Sequence, residues 1–320
     1  MSKILRQRPV TPCSYRGLTL IEMMVAMVIS LVVSTVAASV FISSRQTARY
    51  ADALSRYQET LRFAQAAIAE DLRTAGQLGC RRDLTTTTGL KENDGVTYSG
   101  AINGKDNWDI TSTTLGSIDK TDAKAGSDAV RLQFASRDAN NLSAAMAGTA
   151  DNIVVANTAN YAATGPLIIA DCTKADTFKP STDVVAGNTI THTPLSGVYV
   201  KSAASVYRFL DRAYYISSSN ELVQVTGNTK STIAVGIEEL RFDYGEDINT
   251  DKYPDRYVNA SDVTHWTDIV AVRVCMLVSS KDQGLTTGDG YTDCNGTAKT
   301  ATDHRLRFPV NFTVRIRNRG

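Results

Sequence analysis

An α+β fold follows from three features of this 320-residue chain. A charge-free apolar run fills Met23–Ile42, no helix breaker interrupts the residues around it, and apolar side chains alternate in strand-like patterns after Cys80. Together they predict one long N-terminal α-helix, with a membrane half and an amphipathic half, packed on a C-terminal antiparallel β-sheet domain. The expected segments are a basic flank over 1–17, a membrane half over 18–42, an amphipathic half over 43–78 and a β-rich globular domain over 79–320.

The apolar run is long enough to cross a hydrocarbon layer of about 30 Å at roughly 1.5 Å per residue. Lys3, Arg6, Arg8 and Arg16 precede it, with no acid before Glu22. That bias holds the N-terminus in the cytoplasm and sends the remainder outward. Glu22 is the exception, because a carboxylate inside a span costs about 2.5–3.5 kcal/mol or more on insertion scales and needs a partner. A secretory signal has a shorter apolar core with small residues after it. A plain single-pass anchor would explain the length and the basic flank, but neither Glu22 nor Gly17.

The helix is expected to continue past the membrane. No Pro occurs between Pro12 and Pro166, and no Gly between Gly17 and Gly76, so nothing breaks a helix from about Leu18 to Ala75. Beyond Ile42 the apolar residues become one-sided: Tyr50, Leu54, Tyr57, Leu61, Ala64, Ile68, Leu72 and Ala75 recur at three- and four-residue steps. Arg49, Asp52, Arg56, Glu59, Arg62, Glu70 and Arg73 lie mostly off that face, and Gly76 and Gly79 end the helix. Within the membrane half, Ala26, Ser30, Ser34 and Ala38 fall four apart, a spacing that permits close helix approach in lipid but is also common as plain tolerance of small residues.

Gly17-Leu18-Thr19-Leu20-Ile21-Glu22 resembles the processing motif of type IV pilins and type II secretion pseudopilins. The resemblance implies cleavage by a prepilin peptidase between Gly17 and Leu18, so that residues 1–17 form a leader, and methylation of Leu18 as the new N-terminus. The family usually has Phe where Leu18 stands. It further implies that Glu22 serves as the assembly charge partner, pairing with the α-amine of a neighbouring subunit.

Beyond Cys80, residues 85–128 are rich in Thr, Gly, Asp, Asn and Lys and read as a polar surface insertion with short strands near Val96–Tyr98. Strands are expected at 130–134, 153–156, 167–170, 198–210, 213–217, 221–225, 233–244, 268–279 and 307–317, with Ser218-Ser219-Asn220 turning a hairpin. The 268–279 strand is apolar on nearly both faces and should be central.

Loss of residues 1–17 removes four of the 34 basic residues and none of the 33 acidic ones, leaving a net charge of −3. Nothing in that balance marks a nucleic-acid surface. Cys80, Cys172, Cys275 and Cys294 remain after Cys13 leaves, an even number in a chain directed to the periplasm, where disulfides persist. Three pairings are open to them. The expected pairs are Cys80–Cys172, tying the helix end to the sheet, and Cys275–Cys294, closing a short loop out of a strand.

Asp247, Asn249, Asp251, Tyr253 and Asp255 alternate as in the first half of a calcium loop, with Lys252 at the glycine position and Val258 in place of the bidentate Glu. The two readings are a calcium site and a solvated acidic loop. Catalysis finds no motif: the histidines are only His192, His265 and His304, and no nucleophile elbow, phosphate-binding glycine loop or zinc-helix motif is present.

Later segments sharpen the resemblance. Leu72–Cys80, Asp171-Cys172 with Ala175–Phe178, His265-Trp266 leading into Ile269–Val274, Arg305–Arg307 and Thr313–Asn318 are similar to PilW-type minor pilins. The resemblance implies a minor pilin that primes type IV pilus assembly and sits in a tip complex, serving twitching motility, adhesion or DNA uptake. Implied partners are the major pilin, other minor pilins, the prepilin peptidase, the inner-membrane assembly platform and a tip adhesin. Before assembly such a chain is single-pass in the inner membrane with its C-terminal domain in the periplasm; afterwards it lies in the pilus. The alternatives are a minor pseudopilin of type II secretion and a membrane-anchored periplasmic enzyme or binding domain.

Overall fold

The structure is a computed structural model that describes residues 17, 19–80, 89–109, 111–112, 115–116, 118, 121–159, 161, 165–182, 188–288 and 290–318. Two compact units divide at Asp52 and Ala53. Helix α1 (Leu20–Thr74) contributes to both. It is followed by β1 (Leu90–Glu92), β2 (Ile102–Lys105), β3 (Ala129–Ala135), β4 (Asn140–Asn141), β5 (Ile153–Val154) and β6 (Leu167–Ala170). Next come β7 (Ala175–Phe178), β8 (Thr189–Ile190), β9 (Ser205–Ile216), β10 (Glu221–Thr226), β11 (Thr229–Val235) and β12 (Ile237–Glu246). The chain closes with β13 (Arg256–Val258), β14 (Ile269–Ser279), β15 (Gly290–Thr292), β16 (Ala298–Thr300) and β17 (Arg307–Arg315).

In the first unit every described side chain of α1 is exposed. Its apolar surface has no protein cover there, and α1 is the one helix among the described residues that is long and apolar enough to cross a membrane. Ser30, Thr35 and Ser39 donate their hydroxyls to helix carbonyls three or four residues back, so these polar groups reach lipid already satisfied.

In the second unit the rest of α1 buries one face. Ala64, Ile68, Leu72 and Ala75 enter a core shared with β3, β9 and β10 on one side and β12, β14 and β17 on the other. The helix ends at Thr74, and Gly76 takes a left-handed φ of +77°. A Cβ there would stand 2.8 Å from that of Ala101, so both the turn and the close approach require glycine.

Among the described residues two large sheets form the domain, beside the two-stranded pairs β5-β8 and β15-β16. The larger runs β1-β7-β6-β9-β10-β11, with β2 on β3 and both β3 and β4 on β9. All its pairs are antiparallel except β1 with β7. The smaller runs β13-β12-β14-β17. Strand β14 is buried at ten of its eleven residues and pairs with both β12 and β17, the central position its two-sided apolar pattern requires. Pro309 sits in the edge strand β17, where a missing donor costs least.

Several strand limits differ from the sequence reading. The expected 198–210 and 213–217 strands are one, β9, which begins only at Ser205. The expected 233–244 strand is divided at Gly236, whose φ of +89° carries the chain from β11 in one sheet to β12 in the other. A Cβ there would lie 2.8 Å from the Ser279 carbonyl oxygen. No strand forms at Val96–Tyr98; the flanking β1 and β2 take that role.

The 85–128 segment is a correction to the reading of a surface insertion. Residues 85–88 lie outside the described residues, but Ile102 joins the main core, and Trp108, Leu115 and Ile118 cover Ala213, Tyr215, Val223 and Val225 on the far face of β9–β10. Composition concealed this, because one buried Trp supplies about 150–250 Å² of apolar area by itself.

Residues 136–204 run between β3 and β9 and supply β4, β6 and β7 to the large sheet; Leu142, Ile153, Tyr161, Phe178 and Tyr199 form a core cluster there with Val206 of β9. The last pair of β3, Ala135 with Phe209, and the Ser136 N–H donated to the Arg208 carbonyl bring the two ends of this stretch side by side.

Candidate functional site

The start of α1 carries the expected processing and assembly residues. Leu18 lies outside the described residues, as does the leader over 1–16; Gly17 is exposed, with nothing near the position a Cβ would occupy. Thr19 and Glu22 form a reciprocal cap. The Thr19 N–H and hydroxyl donate to Glu22 Oε2 at 3.0 and 3.1 Å, and the Glu22 N–H donates to Thr19 Oγ1 at 3.3 Å. Glu22 therefore has a local partner at the positive end of its own helix. Thr19 was missed in the sequence, although Thr-x-x-Glu before an apolar run is the capping-box signature. Ala26, Ser30, Ser34 and Ala38 line the exposed span beyond it.

A second missed residue fastens α1 to the sheet. Asp71, only 4% exposed, accepts from Arg212 Nη1 at 2.8 and 3.0 Å, from the Tyr214 hydroxyl at 2.6 Å and from Gln224 Nε2 at 3.3 Å. Burial, then the Asp71 charge, pushes the Tyr214 phenol well above its ordinary range, so it stays a donor. The signal was an acid beside Ile68, Leu72 and Ala75 on the apolar helix face.

Cys80 is bonded to Cys172, and Cys275 to Cys294. The first joins the segment after α1 to the turn between β6 and β7, and the second anchors the loop after β14. The Asp247–Asp255 segment folds on itself. Asp247 accepts the N–H groups of Asp251 and Lys252, Asp251 that of Tyr253, and Asp255 those of Ile248 and Asn249. Asn249 accepts the Asp251 N–H and donates to Asp251 and Asp255, while the exposed Tyr253 ring stacks with Arg315. Among the described residues no three acid, His or Cys side chains gather as a metal-binding group. The carboxylates cap loop amides, and Lys252 in place of glycine and Val258 in place of the closing Glu remain departures from the calcium-loop pattern. His192 and His265 sit in separate surroundings, the first between the carbonyls of Asp151 and Thr193 and the second 3.8 Å from Asp268.

Two family models match the chain. The prokaryotic N-terminal methylation motif covers residues 13–38, which contain Gly17, Thr19 and Glu22, and the type IV pilus-assembly protein W family covers residues 198–318. These two matches support a PilW-type type IV minor pilin. The second match takes in β9 to β17 and includes the His265–Val274, Arg305–Arg307 and Thr313–Asn318 segments, whereas the similar pieces at 72–80 and 171–178 fall outside it. No curated protein and no solved structure matches the chain significantly. The matches point to a structural, membrane-anchored pilus component that meets other pilus proteins and a prepilin peptidase.

Proposed function

We propose that this pilin is cleaved between Gly17 and Leu18, methylated on Leu18, and held in the inner membrane with its β domain in the periplasm until an assembly platform draws it into a pilus. There it joins the major pilin and other minor pilins in an initiating complex at the tip, next to any adhesin carried there. The observation that carries this reading is a single carboxylate, Glu22, capped by Thr19 at the head of a span that is charge-free from Met23 to Ser44. The cap meets the cost of the charge while the subunit waits. Assembly exchanges it for the freed ammonium of an adjacent protomer, which the low-dielectric filament core favours over an unpaired acid. Twitching motility, adhesion and DNA uptake are the processes such a pilus serves.

N-terminal mass spectrometry of the membrane-extracted protein tests the first step, with a methylated Leu18 expected at the terminus. Gly17→Ala should retain the leader, and Glu22→Ala should be cleaved yet absent from sheared pili. A chain still beginning at Met1 in piliated cells would end the proposal. Loss of a secreted enzyme with pili intact would move the subunit to a type II secretion pseudopilus.

A further inference from the structure

We propose that Arg45 and Arg49 form a binding site for a phosphate ester, occupied by the headgroup of a phospholipid in the periplasmic leaflet. Arg45 is the first charge after Glu22, and the next acid along the chain is Asp52. The Arg45 guanidinium carbon lies 4.3 Å from the centre of the Phe41 ring. Its side chain therefore leans back along the helix toward the span, the direction in which helical side chains point. The charge consequently sits at the level of Phe41 and Ile42, where hydrocarbon gives way to headgroups, although its Cα lies about 4.5 Å further out at 1.5 Å per residue.

Arg49 follows four residues later on the same face, about 6 Å along the axis. Both side chains are exposed, and neither has an acidic partner among the described residues. The Arg45 guanidinium carbon lies over the Phe41 ring, a contact that occupies none of its N–H donors in a conventional hydrogen bond. The planar fork of a guanidinium matches two oxygens of a phosphate better than an ammonium would. Tyr50, 41% exposed, adds an amphipathic ring of the kind enriched at the membrane–water boundary. A carboxylate of a neighbouring subunit is the competing partner. The backward lean of Arg45 favours phosphate, because it withdraws the charge toward the bilayer and away from the periplasmic domains. Such a site fixes the depth of the span and must be broken when the subunit leaves the membrane. It depends on the span alone and not on the filament role.

The test uses the full chain carrying ¹³Cζ-arginine, reconstituted in phosphatidylglycerol–phosphatidylethanolamine vesicles, with carbon–phosphorus dipolar dephasing as the readout. The wild type should dephase, and the Arg45→Gln/Arg49→Gln double variant should lose at least half of the signal while circular dichroism shows the helix intact. Equal dephasing in the two proteins, or none in the wild type, overturns the proposal. A parallel sample in phosphorus-free detergent with inorganic phosphate should show no dephasing; a signal there would make this a free-phosphate site and overturn the lipid assignment. A positive vesicle result from a chain that mass spectrometry finds uncleaved would sustain this inference while removing the pilin proposal.

Discussion

Replacing Asp71 by Ala should be among the most damaging single changes in the second unit. The carboxylate receives four donor contacts, two from Arg212 and one each from Tyr214 and Gln224. All come from β9 and β10 and meet α1 in the core. Truncation strands the Arg212 charge and leaves the Tyr214 hydroxyl only the Ala67 carbonyl, at 3.3 Å, to donate to. Breaking a buried pair by removing one member costs about 3–5 kcal/mol, and each neutral donor left unmet adds about 1–3 kcal/mol unless it finds water. Arg212 retains contact with the face of the Phe134 ring and its side chain is 26% exposed, so water can reach one end of it. The expected loss for Asp71→Ala is therefore about 4 kcal/mol. Asp71→Asn, which keeps one acceptor and the shape, should lose about half of that. Urea unfolding of the full chain in detergent, followed by fluorescence of Trp108 and Trp266, gives the measurement. A loss below about 1 kcal/mol for Asp71→Ala would refute the claim that this carboxylate ties helix to sheet.

Three further outcomes are expected. Replacing both members of a disulfide by Ser should cost about 4.6 kcal/mol for the Cys80–Cys172 loop and about 3.3 kcal/mol for the Cys275–Cys294 loop, because the longer loop frees more unfolded-chain entropy; the sequence separations are 92 and 19. Equal losses on denaturation would contradict the loop-entropy account. Burial lifts the Tyr161 phenol to about 12, and Tyr199, Tyr214, Tyr215 and Tyr244 are raised as well. In the unfolded chain these phenols ionise near 10, so above that pH the unfolded state binds fewer protons than the native one. The contribution of these phenols should be constant below about pH 10 and fall between about pH 10 and 12, by up to about 1.4 kcal/mol per pH unit for each of them. A pH-stability profile without that decline would contradict their burial. Calcium should leave the melting temperature unchanged, since the Asp247–Asp255 carboxylates already cap loop amides; a calcium-dependent rise in calorimetry would reverse that view.

The long helix and the central strand were legible because their patterns are periodic. Twenty charge-free residues and a two-sided apolar strand admit few other structures. The limits of β9 and the break at Gly236 were not, since both depend on which sheet each segment joins. Trp108, Leu115 and Ile118 escaped notice because apolar residues spaced that widely carry no period, yet they cover a whole sheet face. At the candidate site the positions of Gly17 and Glu22 followed directly from the motif. Thr19 was readable and passed over, while the partners of Asp71 come from residues 141 to 153 positions away, a distance no local pattern reports.

The stretch over 136–204 departs from β3 and returns to β9 at neighbouring points, Ser136 and Arg208, and adds β4, β6 and β7 to the same sheet on the way. Whatever is threaded between them meets an already closed gate, and doubling its length adds only about 0.6 kcal/mol of closure entropy. The PilW family match begins at residue 198, leaving nearly all of this stretch outside it. Strands β6 and β7 are nevertheless fixed in the large sheet and Cys172 is bonded to Cys80, so added length is absorbed in the loops of this stretch and not in its strands.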